Sequence, residues 1–101
     1  MESIQKKVQI FCDNNKITCT PESRLLDTVS ELGELAKEVL LASNYGKKTL
    51  LNNEKLELEI GDVVFSIIAL SNSLDVNIEK ALEKAFNKYN ERLKKGHLGS
   101  R

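Results

Sequence analysis

The sequence predicts an all-α fold, built as an antiparallel four-helix bundle. Only five Gly and one Pro interrupt its 101 residues, and no segment shows the strict alternation of apolar and polar side chains that is typical of strands. Apolar residues recur instead three and four positions apart, as one face of a helix requires. We therefore expect residues 1–96 to form a single helical domain, followed by a flexible C-terminal tail at residues 97–101.

Local start and stop signals place four helices along the chain. The second helix has the clearest start, because Thr20 can cap free backbone N–H groups and Pro21 suits the first helical position. The polar connector at residues 44–48 ends this helix. Short connections favour antiparallel packing, with the second and third helices as the central pair. The predicted helices span residues 3–15, 21–43, 53–73 and 77–96.

Charge and cysteine content exclude several classes of function. Lys and Arg number 15, as do Asp and Glu, so the chain lacks the strong basic charge of a nucleic-acid-binding protein. No apolar run approaches the roughly 20 residues that a membrane-spanning helix needs. Cys12 and Cys19 form neither a CxxC pair nor a zinc quartet, and no secretory hydrophobic segment is seen. We expect a soluble, cytoplasmic protein with reduced thiols and with neither nucleic acid nor membrane as partner.

Acidic residues follow one edge of the second predicted helix, beside a broad apolar face. Asp27, Glu31, Glu34 and Glu38 are spaced three and four apart, so their side chains are neighbours on the helix surface. Such carboxylates repel one another by a few tenths of a kcal/mol per pair, whereas a solvated face more often mixes both signs. A single ExxE is nevertheless common on solvated helix edges, so this stripe alone is a weak indication of a metal site.

A second acidic pair, Glu59 and Asp62, lies in the segment ELEIGDVVFSIIAL of the third helix. This pair is more informative because the segment around it is apolar on most of its circumference. A desolvated carboxylate is unfavourable unless a positive charge meets it. Two such pairs on adjacent antiparallel helices would place four carboxylates around one space, and Mg²⁺ prefers oxygen ligands of this kind.

The two pairs stand in a longer pattern that resembles a known family. Residues 20–92 are similar in residue identity and spacing to the MazG-like nucleotide pyrophosphohydrolases of the all-α NTP pyrophosphatase superfamily. The motif of this family is ExxE, a spacer and ExxD. The motif stands here as Glu31-Leu-Gly-Glu34 and Glu59-Ile-Gly-Asp62, with LGEL, GDVVF and a trailing AL…K…KY..R in the same order.

The resemblance implies hydrolysis of a nucleoside triphosphate between its α and β phosphates, with Mg²⁺ as cofactor and Mn²⁺ as an alternative ion. It makes four carboxylates the metal ligands: Glu31, Glu34, Glu59 and Asp62. Glu34 or Glu38 is then the candidate general base that accepts a proton from the attacking water. Five residues match positions that bind substrate in the family: Asn72, Lys84, Lys88, Tyr89 and Arg92. Basic residues at the end of the last helix also suit its dipole without any substrate.

Two departures from the family pattern leave the substrate open. Ser30 stands where the family often has another Glu, and Phe86 stands where related proteins often carry an Asn. An alternative is phosphoribosyl-ATP pyrophosphohydrolase, although that group tends to place a His where this chain has Ser66. A di-iron bundle is excluded because it needs ExxH pairs and the only histidine is His97.

The third helix also predicts self-association. It is apolar nearly all round, and one short amphipathic first helix cannot cover it, so we expect a homodimer or homotetramer that completes the bundle. The resemblance implies the same. A non-catalytic helical dimerisation or regulatory module is the remaining alternative, in which the acidic residues are merely solvated.

Overall fold

The computed structural model describes residues 3–17 and 20–96, and the predicted tail at residues 97–101 lies outside them. These residues form four helices and no strand, which confirms the all-α fold: α1 (Ile4–Asn14), α2 (Pro21–Ala42), α3 (Glu54–Ser73) and α4 (Ile78–Lys94). Every bound lies within two residues of its prediction. None of the described helices is long and apolar enough to cross a membrane.

Each helix is preceded by an N-cap residue whose side chain accepts a hydrogen bond from a backbone N–H of the first turn. These residues are Ser3, Thr20, Asn53 and Asn77. Pro21 occupies the first position of α2, as predicted. After α2 the chain turns through Asn44, Tyr45 and Gly46, which all have positive φ angles. This left-handed turn ends the helix and reverses the chain, so that α3 runs back along α2.

The helices α2 and α3 form the central antiparallel pair. At one end of the pair, Arg24 shares a cavity with Ala69 and Ser73 of α3. Further along α2, Glu31 meets Asp62. The N-terminal part of α2 therefore lies against the C-terminal part of α3, and the predicted central pair is the observed one.

A small apolar core lies where α1 packs on α3. Phe11 of α1 meets Phe65 of α3 edge to face, with 5.7 Å between the ring centroids. Cys12 is a free, buried cysteine in this core, whereas Cys19 lies outside the described residues. The buried core residues are Val8, Cys12, Ile68 and Ala69, with Ile17, Phe65 and Ile78 partly buried around them.

Much of the apolar surface is exposed in the single chain. An apolar helix face usually packs into a core, but many apolar residues of α2 and α3 are exposed, and no residue of α4 is buried. The radius of gyration is 16.5 Å, whereas a compact domain of about 100 residues has about 13 Å. The exposed apolar residues of the central pair include Leu25, Val29, Leu32, Leu40, Ile60, Val64 and Ile67.

Candidate metal centre

The facing sides of α2 and α3 carry polar residues, which we call the polar strip. Its members are spaced three and four apart on each helix: Arg24, Thr28 and Glu31 on α2, and Glu59, Asp62 and Ser66 on α3. Four of the six are buried. The Thr28 hydroxyl donates to the Arg24 carbonyl oxygen at 2.9 Å, so its burial leaves no unpaired donor.

Three carboxylates of the polar strip converge, and we call Glu31, Glu59 and Asp62 the acidic cluster. Each offers an oxygen within 4.8 Å of the others. Opposite ligands of one Mg²⁺ lie about 4.2 Å apart, so small side-chain rotations would bring these oxygens to binding distance. Glu59 is buried, whereas Glu31 and Asp62 are partly exposed. The donor set therefore fits a hard divalent cation and is open on one side.

Lys55 contacts the acidic cluster from the preceding turn of α3. Its Nζ lies 3.5 Å from Oε1 of Glu59, and the side chains are 58% and 9% exposed respectively. This pair partly compensates the buried negative charge. Because the lysine side chain is long and largely exposed, it can withdraw when another cation approaches.

The pKa of the Glu31 carboxyl is raised above its ordinary value. Partial burial is the largest cause, followed by the negative charges of Asp62, Glu59, Glu34 and Asp27. Burial and like charges both disfavour the ionised form. Either a proton on Glu31 or a bound cation would relieve this repulsion.

The other two predicted acids lie on α2 outside the acidic cluster. Glu34, one turn after Glu31, is exposed, and its charge acts on Glu31. Glu38 is half-buried one turn further along. None of the ion pairs found among residues 3–17 and 20–96 includes Glu38. The structure thus brings together three of the four predicted metal ligands and leaves Glu34 beside them.

The residues predicted to bind substrate lie outside the acidic cluster, and of the five only Asn72 is on α3, the helix of Glu59 and Asp62. Asn72 accepts a hydrogen bond from Gln5 Nε2 at 2.8 Å and donates to the Gln5 carbonyl oxygen at 3.3 Å. Its amide therefore ties α1 to the end of α3. The other four lie along α4, which packs lightly on the rest of the chain: Lys84, Lys88, Tyr89 and Arg92. There the Lys88 Nζ lies 4.9 Å from the centre of the Tyr89 ring.

The sequence pattern did not indicate that Arg24 and Thr28 belong to the polar strip or that Lys55 contacts the acidic cluster. The spacing of Lys55 and Glu59, four apart on a helix, was an available signal for an ion pair. The spacing of Arg24, Thr28 and Glu31 likewise placed them on one helix face. What it did not show is that this face, and not the apolar one, turns toward α3.

Comparison with known proteins identifies the family. Residues 19–97 match the family model described as the MazG nucleotide pyrophosphohydrolase domain. The YpjD protein of Bacillus subtilis (strain 168) is 40% identical over 96 residues, which cover 91% of this chain and 85% of that protein. The nucleoside triphosphate pyrophosphohydrolase/pyrophosphatase MazG of Thermotoga maritima is 54% identical over 41 residues, which are 41% of this chain and 16% of that protein.

Two crystal structures share the fold. That of Bacillus subtilis YpjD superposes with a TM-score of 0.74 at 35% identity, covering 91% of this chain and 94% of that chain. That of the Bacillus-conserved MazG protein, a nucleotide pyrophosphohydrolase, superposes with a TM-score of 0.71 at 30% identity, covering 88% and 93%. With a family match over most of its length and these relatives in sequence and structure, this chain belongs to the MazG nucleotide pyrophosphohydrolase family.

Proposed function

We propose that this chain is a Mg²⁺-dependent hydrolase that cleaves a (d)NTP between the α and β phosphates and releases (d)NMP and pyrophosphate. The acidic cluster is the observation that carries this proposal, since three carboxylates converge within 4.8 Å of one another. Without a cation, such a cluster would repel a triphosphate. Membership of a nucleotide pyrophosphohydrolase family supports the reaction class.

In this proposal Glu31, Glu59 and Asp62 hold the metal, and Glu34, one turn after Glu31 on α2, either joins them or stays free. Bound Mg²⁺ would neutralise phosphate charge and lower the pKa of a water molecule. Glu34 or Glu38 would accept the proton that this water loses on attack at phosphorus. Glu34 is exposed and Glu38 half-buried, and both follow Glu31 on α2 at helical spacing.

The proposal includes a homodimer or homotetramer. The exposed apolar faces of α2 and α3 need a partner, and a second copy of the chain offers the same faces. Lys84, Lys88, Tyr89 and Arg92 would contact the nucleotide, together with Asn72. The light packing of α4 on its own chain supports a role in which these residues act on the acidic cluster of a second copy.

The deciding experiment is product analysis with a panel of NTPs and dNTPs. We expect (d)NMP and pyrophosphate to form in the presence of Mg²⁺, with activity lost in excess EDTA and regained with Mg²⁺ or Mn²⁺. Phosphoribosyl-ATP belongs in the panel, since turnover of that compound alone would favour the alternative enzyme. No turnover of any compound would favour a non-catalytic module, and nucleoside diphosphate with phosphate as products would refute the proposed bond cleavage.

Mg²⁺ should stabilise the protein more at neutral pH than at acid pH. Because the pKa of Glu31 in the folded chain is raised above 4.5, the folded state holds this proton more tightly than the unfolded state. Without metal, the contribution of Glu31 to stability is therefore present below pH 4.5 and lost as the pH rises through the raised pKa. Mg²⁺ needs the ionised carboxylate. Thermal melting in millimolar Mg²⁺ or EDTA across this range tests the expectation, and an equal gain in Tm at all pH values would contradict it.

Removing the charge of Lys55 should tighten Mg²⁺ binding. In the metal-free chain the Lys55 ammonium lies 3.5 Å from Glu59 and competes with the ion for that carboxylate. Because the Lys55 side chain is largely exposed, its ion pair contributes on the order of 1 kcal/mol, so Lys55→Met should lower the apparent Kd for Mg²⁺ about two- to fivefold. Isothermal titration calorimetry measures this, with Lys6→Met on α1 as the matched control. Weaker binding by the Lys55 variant would show that the lysine supports the site.

A further inference from the structure

The polar strip leads from the acidic cluster to a separate cavity at the start of α2. This cavity has a volume of about 180 Å³ and lies between α1, α2 and α3. Arg24 lines it seven residues before Glu31, which is about 10 Å along the helix axis. The cavity is thus at a distance from the acidic cluster that one bound nucleotide can span. Its apolar lining includes Ile17 and Ala69.

The Arg24 side chain is buried, and its positive charge has only one distant carboxylate contact in the described part of the chain. Its side chain is 9% exposed, and Nη1 lies 4.0 Å from Oδ2 of Asp27, whose side chain is 57% exposed. Its Nη2 lies 3.8 Å from the Cys12 sulfur. A guanidinium has five N–H donors, and a buried one usually has close carboxylate or carbonyl partners. Arg24 therefore has donor capacity to offer a ligand in the cavity that it lines.

The α1 wall of the cavity carries acceptors. Gln9 Nε2 donates to Oδ1 of Asp13 at 2.8 Å, and both residues line the cavity. This bond leaves the second carboxylate oxygen of Asp13 and the amide oxygen of Gln9 as acceptors. Arg24 and Asp13 together carry no net charge, so a free anion would be attracted by one and repelled by the other. A neutral planar group with a carbonyl oxygen beside an N–H can satisfy both walls.

We propose that this cavity binds the base of the nucleotide, an inference that rests on the proposed function. Arg24 donates to a carbonyl oxygen of the base, and Asp13 with Gln9 accepts from the adjacent N–H. Guanine, uracil and thymine present such an edge. In the same orientation, with the sugar toward the acidic cluster, adenine and cytosine present the reverse pattern: their amino group faces the Arg24 guanidinium and their ring nitrogen faces the Asp13 carboxylate, so both contacts are repulsive. The chain should therefore prefer keto bases over amino bases.

Initial rates with GTP against ATP, and with UTP against CTP, test this preference. For Arg24→Gln we expect the ratio of kcat/KM, keto over amino, to fall on the order of tenfold, because a hydrogen bond from a charged donor is lost. The lower ratio should come from a higher KM for the keto nucleotides, with kcat nearly unchanged. Asp13→Asn, an exposed substitution, should lower the same ratio, and Glu83→Gln on α4, which lines no described cavity, should not. Unchanged ratios in both cavity variants, or a wild type without base preference, would overturn the proposal.

Binding of free nucleosides separates this proposal from the hydrolase reaction. Equilibrium binding of guanosine and adenosine in EDTA involves neither triphosphate nor metal. If guanosine binds more tightly than adenosine and both variants remove the difference, the base site stands even when no NTP is cleaved. If NTPs are cleaved but neither variant changes guanosine binding, the base site alone is refuted. Should Arg24→Gln unfold at the assay temperature, Asp13→Asn decides the outcome, because Asp13 is exposed.

Discussion

Replacing Glu59 with Gln should lower kcat/KM for pyrophosphate release on the order of a thousandfold while the fold is kept. Glu59 is the buried member of the acidic cluster, at 7% exposure, and its carboxylate lies within 4.8 Å of Glu31 and Asp62. Glutamine has the same shape but offers the metal a neutral oxygen. The loss of about 4 kcal/mol of transition-state stabilisation corresponds to the expected fall in rate.

The matched control is Glu57→Gln, which removes an exposed carboxylate from the same helix and should keep the activity of the unaltered chain. Thermal melting in EDTA distinguishes lost chemistry from lost folding. The Glu59→Gln variant should melt no lower than the unaltered chain, because one of three crowded negative charges is gone. It should also lose most of the gain in Tm that Mg²⁺ produces. Full turnover by this variant would refute the assignment of the metal centre.

The helices could be predicted because their signals are local. Thr20 and Pro21 mark the start of α2, and Asn53 and Asn77 cap the next two helices through bonds within one turn. Gly96 adopts a φ of 80° just after α4, in the left-handed region that glycine favours. None of these features depends on how the helices pack, so the sequence alone contains them.

The side chains that lie between α2 and α3 were harder to predict from the sequence. Periodicity placed Glu31, Glu59 and Asp62 on helix faces, and the apolar segment around Asp62 indicated partial burial. The burial of Arg24 and Ser66 depends on the register between α2 and α3, which no local pattern specifies. In the proposed oligomer a second copy covers the outward apolar faces, and the pattern of one chain does not specify such a partner.

A carboxylate placed on the exposed apolar face of α3 should disrupt the proposed oligomer. Val64 is 43% exposed in the single chain and stands between Ile60 and Ile67, which are exposed as well. Full burial of a valine contributes about 1.5 kcal/mol, and a symmetric dimer buries it twice. An unpaired carboxylate in the same place costs several kcal/mol. Val64→Asp should therefore reduce the molar mass measured by light scattering to that of a monomer and lower the Tm.

Leu51→Asp is the control, because Leu51 is 71% exposed in the connector between α2 and α3 and lies outside every helix. It should leave both mass and Tm unchanged. A monomeric wild type at assay concentrations, or an unaltered mass for Val64→Asp, would contradict the proposed assembly.

Activity of the Val64→Asp variant then shows what the oligomer contributes to the site. All three residues of the acidic cluster come from one chain, so a folded monomer should still gain stability from Mg²⁺. Its turnover should nevertheless fall, because the basic residues of α4 would no longer reach the acidic cluster of a second copy. A monomer that binds Mg²⁺ and keeps full turnover would mean that one chain holds the complete site and that self-association serves stability alone. A monomer that keeps Mg²⁺ binding and loses turnover would show that one chain is enough to bind the metal. It would also show that nucleotide binding needs the oligomer.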